Sequence, residues 1–411
     1  MLASADYTAS NGTTVVLASG AAANDIFTAV AYSTVAGLDI ESGSPFMTAV
    51  GSGAGAVNTG VNNVFVGFEA GNDNNSGTDN TALGYQALDA NTTSSCNVAI
   101  GSNALSAITT AGNNVAVGFN ALCATTNDQN TAVGSGAMAT NCTGSGNTAV
   151  GFCTLQANTT GYQNSAFGCR ALGANTTGLL NNAFGSGALR NNETANANNA
   201  FGDVVLFCNT TGTANNGMGR EAMERNTTGS WNVGIGQEVA RFNTTGNYNV
   251  AVGAWALHSN TCGCNNIGIG TTAGVTGLSP AGIVNITTEC NRIVFGNDLH
   301  TCAQIKIAWT ATSDCRDKTC FAPIALGLDF VRALKPTEYQ FKQGGRDSTA
   351  TDGKRRYGFL AQEMLPLEGD SPVIISADDP DKLQYTEAHL IPVLVKAIQE
   401  LTARVEQLEN A

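Results

Sequence analysis

NSAFGCRALGANTTG, residues 164–178, opens on an asparagine, reaches a glycine four residues later, passes through Ala-Leu and closes on an Asn-Thr-Thr-Gly turn. The same unit, Asn-x-x-apolar-Gly, returns with its glycine at Gly67, Gly84, Gly101, Gly118, Gly134, Gly151, Gly168, Gly185, Gly202, Gly219, Gly236, Gly253 and Gly270. The step is 17 residues throughout, except for 16 between Gly118 and Gly134, and an asparagine precedes each glycine by four positions, from Asn63 to Asn266. MTAVG at Gly51 and RIVFG at Gly296 are weaker copies without that asparagine, as terminal turns of a repeat array often are.

A constant period of this length is the mark of a stacked repeat. Alternation of apolar with small residues before the glycine predicts short strands. Seventeen residues suffice for two strands of about five residues and two turns, one coil of a parallel β-solenoid or β-roll about 4.8 Å thick. Thirteen coils would make a rod of roughly 60 Å. Aligned asparagines are expected to form hydrogen-bonded ladders up the stack. The Asn-Thr-Thr-Gly segments at Asn158, Asn175, Asn209, Asn226 and Asn243 match an N-glycosylation sequon, but their fixed phase favours reading them as turns.

Composition divides the chain. Residues 1–312 hold 7 Lys+Arg and 16 Asp+Glu, whereas the last 99 residues hold 12 and 16. The net charge of −13 and the absence of lysine before Lys306 exclude a phosphate-binding surface, so no nucleic-acid partner is expected. No apolar run reaches the length of a membrane span, and the start MLASADYTASNG lacks the regions of a secretory signal, so neither membrane insertion nor export by that route is expected. The 12 cysteines fall at unrelated phases and suggest small buried residues in a reducing compartment; no metal and no cofactor are expected. Residues 7–40 alternate in strand fashion around Asn11-Gly12, which predicts two or three strands in an N-terminal β-rich module over 1–44.

From Ala311 the text changes to ATSDCRDKTCFAPIALGLDFVRALKPTEYQFK, followed by RRYGFLAQEMLP and LQYTEAHLIPVLVKAIQELTARVEQLENA. Ile391, Leu394, Ile398, Leu401, Val405 and Leu408 keep the spacing of coiled-coil a and d positions, predicting a coiled-coil helix over about 386–411. Their composition, β-branched at a and Leu at d, leans by itself toward dimers.

Three blocks in order, Ser313 to Lys318, Gly358 to Glu363 and the closing helix, resemble the intramolecular chaperone auto-processing domain that ends many bacteriophage tail fibres and tail spikes. The repeats NTAVG, NVAIG and NVAVG followed by Ala-Leu or Ala-Met resemble the head repeats of trimeric bacterial adhesins. Together these resemblances imply a mainly β, trimeric β-solenoid over residues 45–296, a connector over 297–312, and an α+β chaperone domain over 313–411. They further imply a homotrimer whose terminal domain assists folding and then cuts itself away with Ser313 as nucleophile and Lys318 as base. A lysine can take that role only if its pKa is lowered by burial or neighbouring cations. Attack by the Ser313 hydroxyl on the Thr312 carbonyl passes through a five-membered ring, which favours the Thr312-Ser313 bond; a cut after Ser313 by another chain is the alternative. His300 could assist, though a lone histidine is more often structural.

The functional expectation is a virion tail fibre, assembled in the host cytoplasm, that joins other tail proteins through its N-terminus and binds a host surface receptor, with a glycan as one candidate. Tyr162, Trp231, Tyr248 and Trp255 are candidate receptor contacts, since exposed aromatics stack on sugar rings; sealing of coil edges is the alternative role. A cellular adhesin with the same clamp, or a polysaccharide-degrading spike, are the competing readings. Against the last, the repeats carry no reproducible carboxylate pair.

Overall fold

The computed structural model describes residues 7–9, 15–17, 47–275, 285–297, 315–342, 349–370, 372–377 and 383–411. They fall into two compact units, residues 1–271 with 286–293 and residues 272–285 with 294–411. Near the N-terminus, Tyr7–Ala9 pairs antiparallel with Val15–Leu17, the hairpin expected around Asn11-Gly12. The rest of that module lies outside the described residues.

The repeats form a parallel β-solenoid. Its sheet runs in unbroken chain order from Met47–Val50 to Ile293–Phe295, each strand pairing with the same strand of the next coil. Ser165–Phe167, for example, lies between Thr148–Val150 and Asn182–Phe184 with Ala166 facing Ala149 and Ala183. The 16-residue step keeps this register, Val115 pairing with Thr131. Its missing residue falls in the turn that other coils write Asn-Thr-Thr-Gly, here Thr125 to Gln129.

One expectation is corrected: each coil carries one strand, three residues long in most coils, not two of about five. The Ala-Leu half is a run of turns, because its backbone repeatedly enters the left-handed region. In the coil of Gly168 these residues are Gln163 (φ 55°), Arg170 (φ 56°) and Leu172 (φ 51°), and the equivalents recur along the rod. Each costs on the order of 1 kcal/mol for a non-glycine residue. In return the amides point along the stack: Gln163 N–H donates to Ser145 (3.1 Å), Arg170 N–H to Phe152 (2.9 Å) and Leu172 N–H to Ala188 (3.0 Å). The corners therefore continue the hydrogen-bonded column that the strands begin, so the buried backbone is satisfied from coil to coil.

The interior is narrow and built of columns. The strand's middle residue points inward, Ala in most coils, together with an Ala and a Leu three and four residues after the glycine, as in Ala166, Ala171 and Leu172. Departures compensate in volume. Phe65 fills the strand column where Gly71 replaces the leucine, and a Cβ on Gly71 would lie 2.5 Å from the Phe65 ring. Gly217 likewise makes room for Val205.

Two asparagine ladders close the corners. Asn164 Nδ2 donates to the Gly178 carbonyl at 2.9 Å, and its Oδ1 accepts the Asn181 backbone N–H at 3.0 Å. Asn175 Nδ2 donates to the same Gly178 carbonyl at 3.0 Å and to Asn158 Oδ1 at 2.8 Å. Asn158, Asn175, Asn209, Asn226 and Asn243 are buried with their amides engaged, so these sequon asparagines are structural turn residues. The second ladder breaks at Ile108, whereas Thr125, which also stands in place of an asparagine, still accepts the Asn141 Nδ2 donor at 3.2 Å. Gly168 is required twice over, by φ +129° and because a Cβ would meet the Gly185 carbonyl oxygen at 2.5 Å.

The C-terminal unit is a small α/β region. It holds α1 (Leu328–Ala333), an antiparallel pair Thr337–Tyr339 with Arg356–Gly358, α2 (Ala361–Glu368), a second pair Ile375–Ser376 with Gln384–Tyr385, and α3 (Glu387–Glu409). Phe330, Met364, Ile374, Ile375, Leu390 and Val393 form its core. No helix among the described residues is long and apolar enough to cross a membrane.

Candidate functional site

The terminal helix carries two apolar stripes. Leu390 and Val393 belong to the unit's own core, and Ala397, one turn further on, is buried too. One residue further along, Ile391, Leu394, Ile398, Leu401, Val405 and Leu408, the expected a and d positions, are 38–74% exposed in the single chain. The first stripe holds the helix to its unit and leaves the second as a continuous apolar seam spanning Ile391 to Leu408.

Two carboxylates fix how α3 and α2 meet their neighbours. Glu400 accepts the Leu328 N–H at 2.7 Å, satisfying the start of α1, where Gly327 has no side chain to cap with. That hydrogen bond is the main reason the Glu400 carboxyl lies below the ordinary glutamate value, with Lys396 adding to it. Lys396 also reaches the Ile324 carbonyl. Glu368, at the end of α2, gathers three successive backbone N–H groups, Val373 at 2.6 Å, Ile374 at 2.7 Å and Ile375 at 2.9 Å. The His389 ring contacts the Val373 carbonyl at 2.8 Å. Neither Glu368 nor Glu400 stands out in the sequence, because each acts on backbone distant along the chain.

Of the expected self-cleavage residues, Thr312 and Ser313 lie outside the described residues, as does His300. Cys315–Asp317 forms a single 3-10 turn, and Lys318 follows it, exposed, its backbone N–H donating to the Cys315 carbonyl at 3.2 Å. Gly358 ends the Arg356–Gly358 strand against Tyr339, and Ala361 to Glu363 open α2, so the second block spans a strand-to-helix junction.

On the rod, the four candidate aromatics do not form one patch. Trp231 and Tyr248 occupy the same left-handed corner position in successive coils, and both are exposed. Tyr162 sits one position earlier in its coil, and Trp255 lies on another ridge, two residues after Gly253, half-buried. There it joins a charged cluster. Arg241 pairs with Glu221 (3.0 Å), Glu224 (2.6 Å) and Glu238 (3.0 Å), and Arg220 with Glu221 and Glu238. Hydrogen bonds from Gln237, then Arg241 and Trp255, hold the Glu238 carboxyl below its usual value. Burial pushes His258 down, against the pull of Glu238 3.7 Å away.

The outer face of the sheet carries an apolar column as well, formed by the last residue of each strand, whereas the outward residue before the buried one is Thr, Ser or Asn in seven of the thirteen coils. Flanking strand residues such as Leu83, Phe201, Met218, Ile235 and Ile269 are exposed, and Phe167, Phe184 and Phe201 stack at 4.7 and 4.9 Å. The cysteines correct an expectation: the eleven described are free and half-buried or exposed, because the interior columns are reserved for Ala, Leu and Asn. Among the described residues no cluster of His, Cys, Asp or Glu could hold a metal.

No curated protein and no solved structure is significantly similar to the chain. Residues 313–367, from the Ser313 block through α2, match the family described as chaperone of endosialidase, so the chain joins a β-solenoid to a C-terminal domain similar to that chaperone.

Proposed function

We propose that this chain is a bacteriophage tail fibre whose β-solenoid is the receptor-binding rod and whose C-terminal domain is a detachable assembly clamp. The observation that carries this reading is the exposed seam of α3, Ile391 to Leu408, attached to a domain that matches the chaperone of endosialidase. A helix already docked on its own core by one stripe, with a second stripe at heptad spacing, is suited to joining other copies of itself. The apolar column on the outer face of the solenoid supports the same reading, since contiguous exposed apolar residues mark interaction surfaces.

In this reading three chains meet at the α3 seam, which sets the register of three rods whose coils are almost interchangeable. Slipping a rod by one coil would preserve nearly every contact, so a unique non-repeating element is needed to choose. Ser313, activated by Lys318, then cuts at Thr312-Ser313 and the clamp departs. Lys318 is exposed in one chain, so its enclosure by neighbouring chains would restrict cleavage to the assembled trimer. The freed fibre then persists in the virion kinetically, joins the tail through its N-terminus and meets the host surface along the rod.

The test is intact-mass analysis and a denaturing gel of the full chain beside Ser313→Ala and Lys318→Ala. Two fragments, residues 1–312 and 313–411, are expected from the unmodified chain and neither from the variants. A trimer that stays whole at 42.0 kDa per chain would leave a retained clamp and remove the Ser/Lys assignment.

A further inference from the structure

Residues 1–219 contain only two cations, Arg170 and Arg190, and both border the same hollow. They stand on adjacent coils, Arg170 two residues after Gly168 and Arg190 five after Gly185. The hollow, about 330 Å³, arises from a missing side chain. At the position five after the repeat glycine, successive coils carry Gln156, Gly173 and Arg190, so Gly173 leaves a gap between two long side chains. Cys153 and Arg170 close it from the neighbouring ridge, and Asn191 adds a second amide to the wall that Gln156 begins.

The two guanidinium groups are chemically uncommitted. Arg220 and Arg241, further along the rod, are neutralised by Glu221, Glu224 and Glu238. Among the described residues, by contrast, no carboxylate pairs with Arg170 or Arg190; Arg190 only lies over the Phe207 ring, 5.4 Å from its centroid. That contact orients the guanidinium without neutralising it.

We propose that this hollow binds an anionic sugar unit, one bearing a carboxylate or a sulfate, of a surface polysaccharide. Paired guanidiniums present fork-shaped donors to a planar or tetrahedral oxyanion. The amides of Gln156 and Asn191 offer both donors and acceptors to ring hydroxyls, and the bare Gly173 backbone lets a ring approach closely. A nucleic acid would require a track of cations along its phosphates, whereas here two cations stand in a chain of net charge −13. Such a site is local and salt-sensitive, and it gains avidity when several copies are displayed together. The proposal deepens the receptor-binding reading above and rests on it for its biological setting.

The test titrates the purified full-length protein at low salt with an oligogalacturonate, a sulfated dextran oligosaccharide and a neutral dextran oligosaccharide of equal length. At least one anionic probe is expected to bind and the neutral one not; whether the carboxylate or the sulfate wins identifies the anion. The double variant Arg170→Gln with Arg190→Gln should weaken binding at least tenfold. Gly173→Gln, which fills the gap with the residue found one coil earlier, should do the same with the charges intact. Absence of anionic binding in the unmodified protein, or binding that survives in both variants, would overturn the proposal. Oligomer mass and cleavage are read on the same samples. Normal assembly without sugar binding removes this site and leaves the fibre reading, while binding by an uncut monomer does the reverse.

Discussion

The rod and the C-terminal unit solve opposite problems. Each coil of the rod finds its partners in the next coil: strand to strand, left-handed corner to corner, Asn164 to Asn181 and Asn175 to Asn158. Its inside is complete in one chain, but its contacts repeat so regularly that they barely distinguish one alignment of two rods from another. The C-terminal unit has a core of six buried residues and no repeat, and its last helix leaves seven large apolar residues uncovered, six of them at the a and d positions. It is specific and unfinished where the rod is finished and unspecific. In the clamp reading proposed above, the contrast explains why such parts are joined: register information is most simply encoded outside the repeat.

This contrast can be broken most forcefully at the repeat glycine. Gly168→Ala combines a backbone strain of about 1 to 3 kcal/mol with a Cβ overlapping the Gly185 carbonyl, so a loss of at least about 3 kcal/mol is expected in thermal unfolding of the rod. A tolerated alanine would mean that the coils are not packed backbone to backbone.

Next in size is the ladder. Asn175→Ala strips donors from Asn158 Oδ1 and the Gly178 carbonyl and should cost about 2 to 3 kcal/mol, whereas Asn175→Thr, the residue that serves at Thr125, should cost less. Limited proteolysis of the neighbouring coils provides the readout. Equal losses would mean that a threonine hydroxyl cannot stand in for the amide at this position.

On the other side of the comparison, Glu368→Gln keeps the shape but weakens three charge-assisted contacts to Val373, Ile374 and Ile375. A destabilisation of about 2 kcal/mol is expected in the C-terminal unit, with the rod unaffected. Hydrogen exchange of the Val373 to Ile375 amides would report it; unchanged protection would show the carboxylate to be dispensable.

The smallest effect expected is of pH. His258 is held below its unfolded value, so the unfolded chain binds the extra proton first and stability rises with pH through that window. Glu238, also depressed, has the same sign at lower pH, its contribution being lost as pH falls through its folded value. Melting of the rod should therefore shift slightly downward from pH 7.5 to pH 5. His258→Gln should flatten the upper part of that slope, and a steeper slope in the variant would contradict the assignment.

Much of the rod was legible because its period is literal: the Asn-to-Gly spacing gave coil length, strand position and the ladder. The left-handed corners were not, since nothing in the identity of Leu172 or Arg170 announces a positive φ; stacking imposes it. The second strand expected in each coil disappeared for the same reason. The separation of Trp255 from Trp231 and Tyr248 follows from their offsets against the glycine, a signal present in the sequence but usable only once the ridges are known. The hollow at Gly173 depends on comparing that residue with Gln156 and Arg190 in adjacent coils. In the C-terminal unit the a and d pattern named the residues left uncovered, whereas the inner residues Leu390 and Val393 emerged only from packing in one core with Phe330 and Met364.

The central claim is that the α3 seam assembles the rods. Light scattering on the Ser313→Ala chain, which retains its clamp, should be compared with the same chain carrying Ile398→Asp and Leu401→Asp, both exposed positions that leave the inner stripe intact. The account predicts a trimer for the first and, for the second, a folded C-terminal unit on chains that are monomeric or aggregated through their uncovered sheets. An unchanged trimer in the double variant would contradict it.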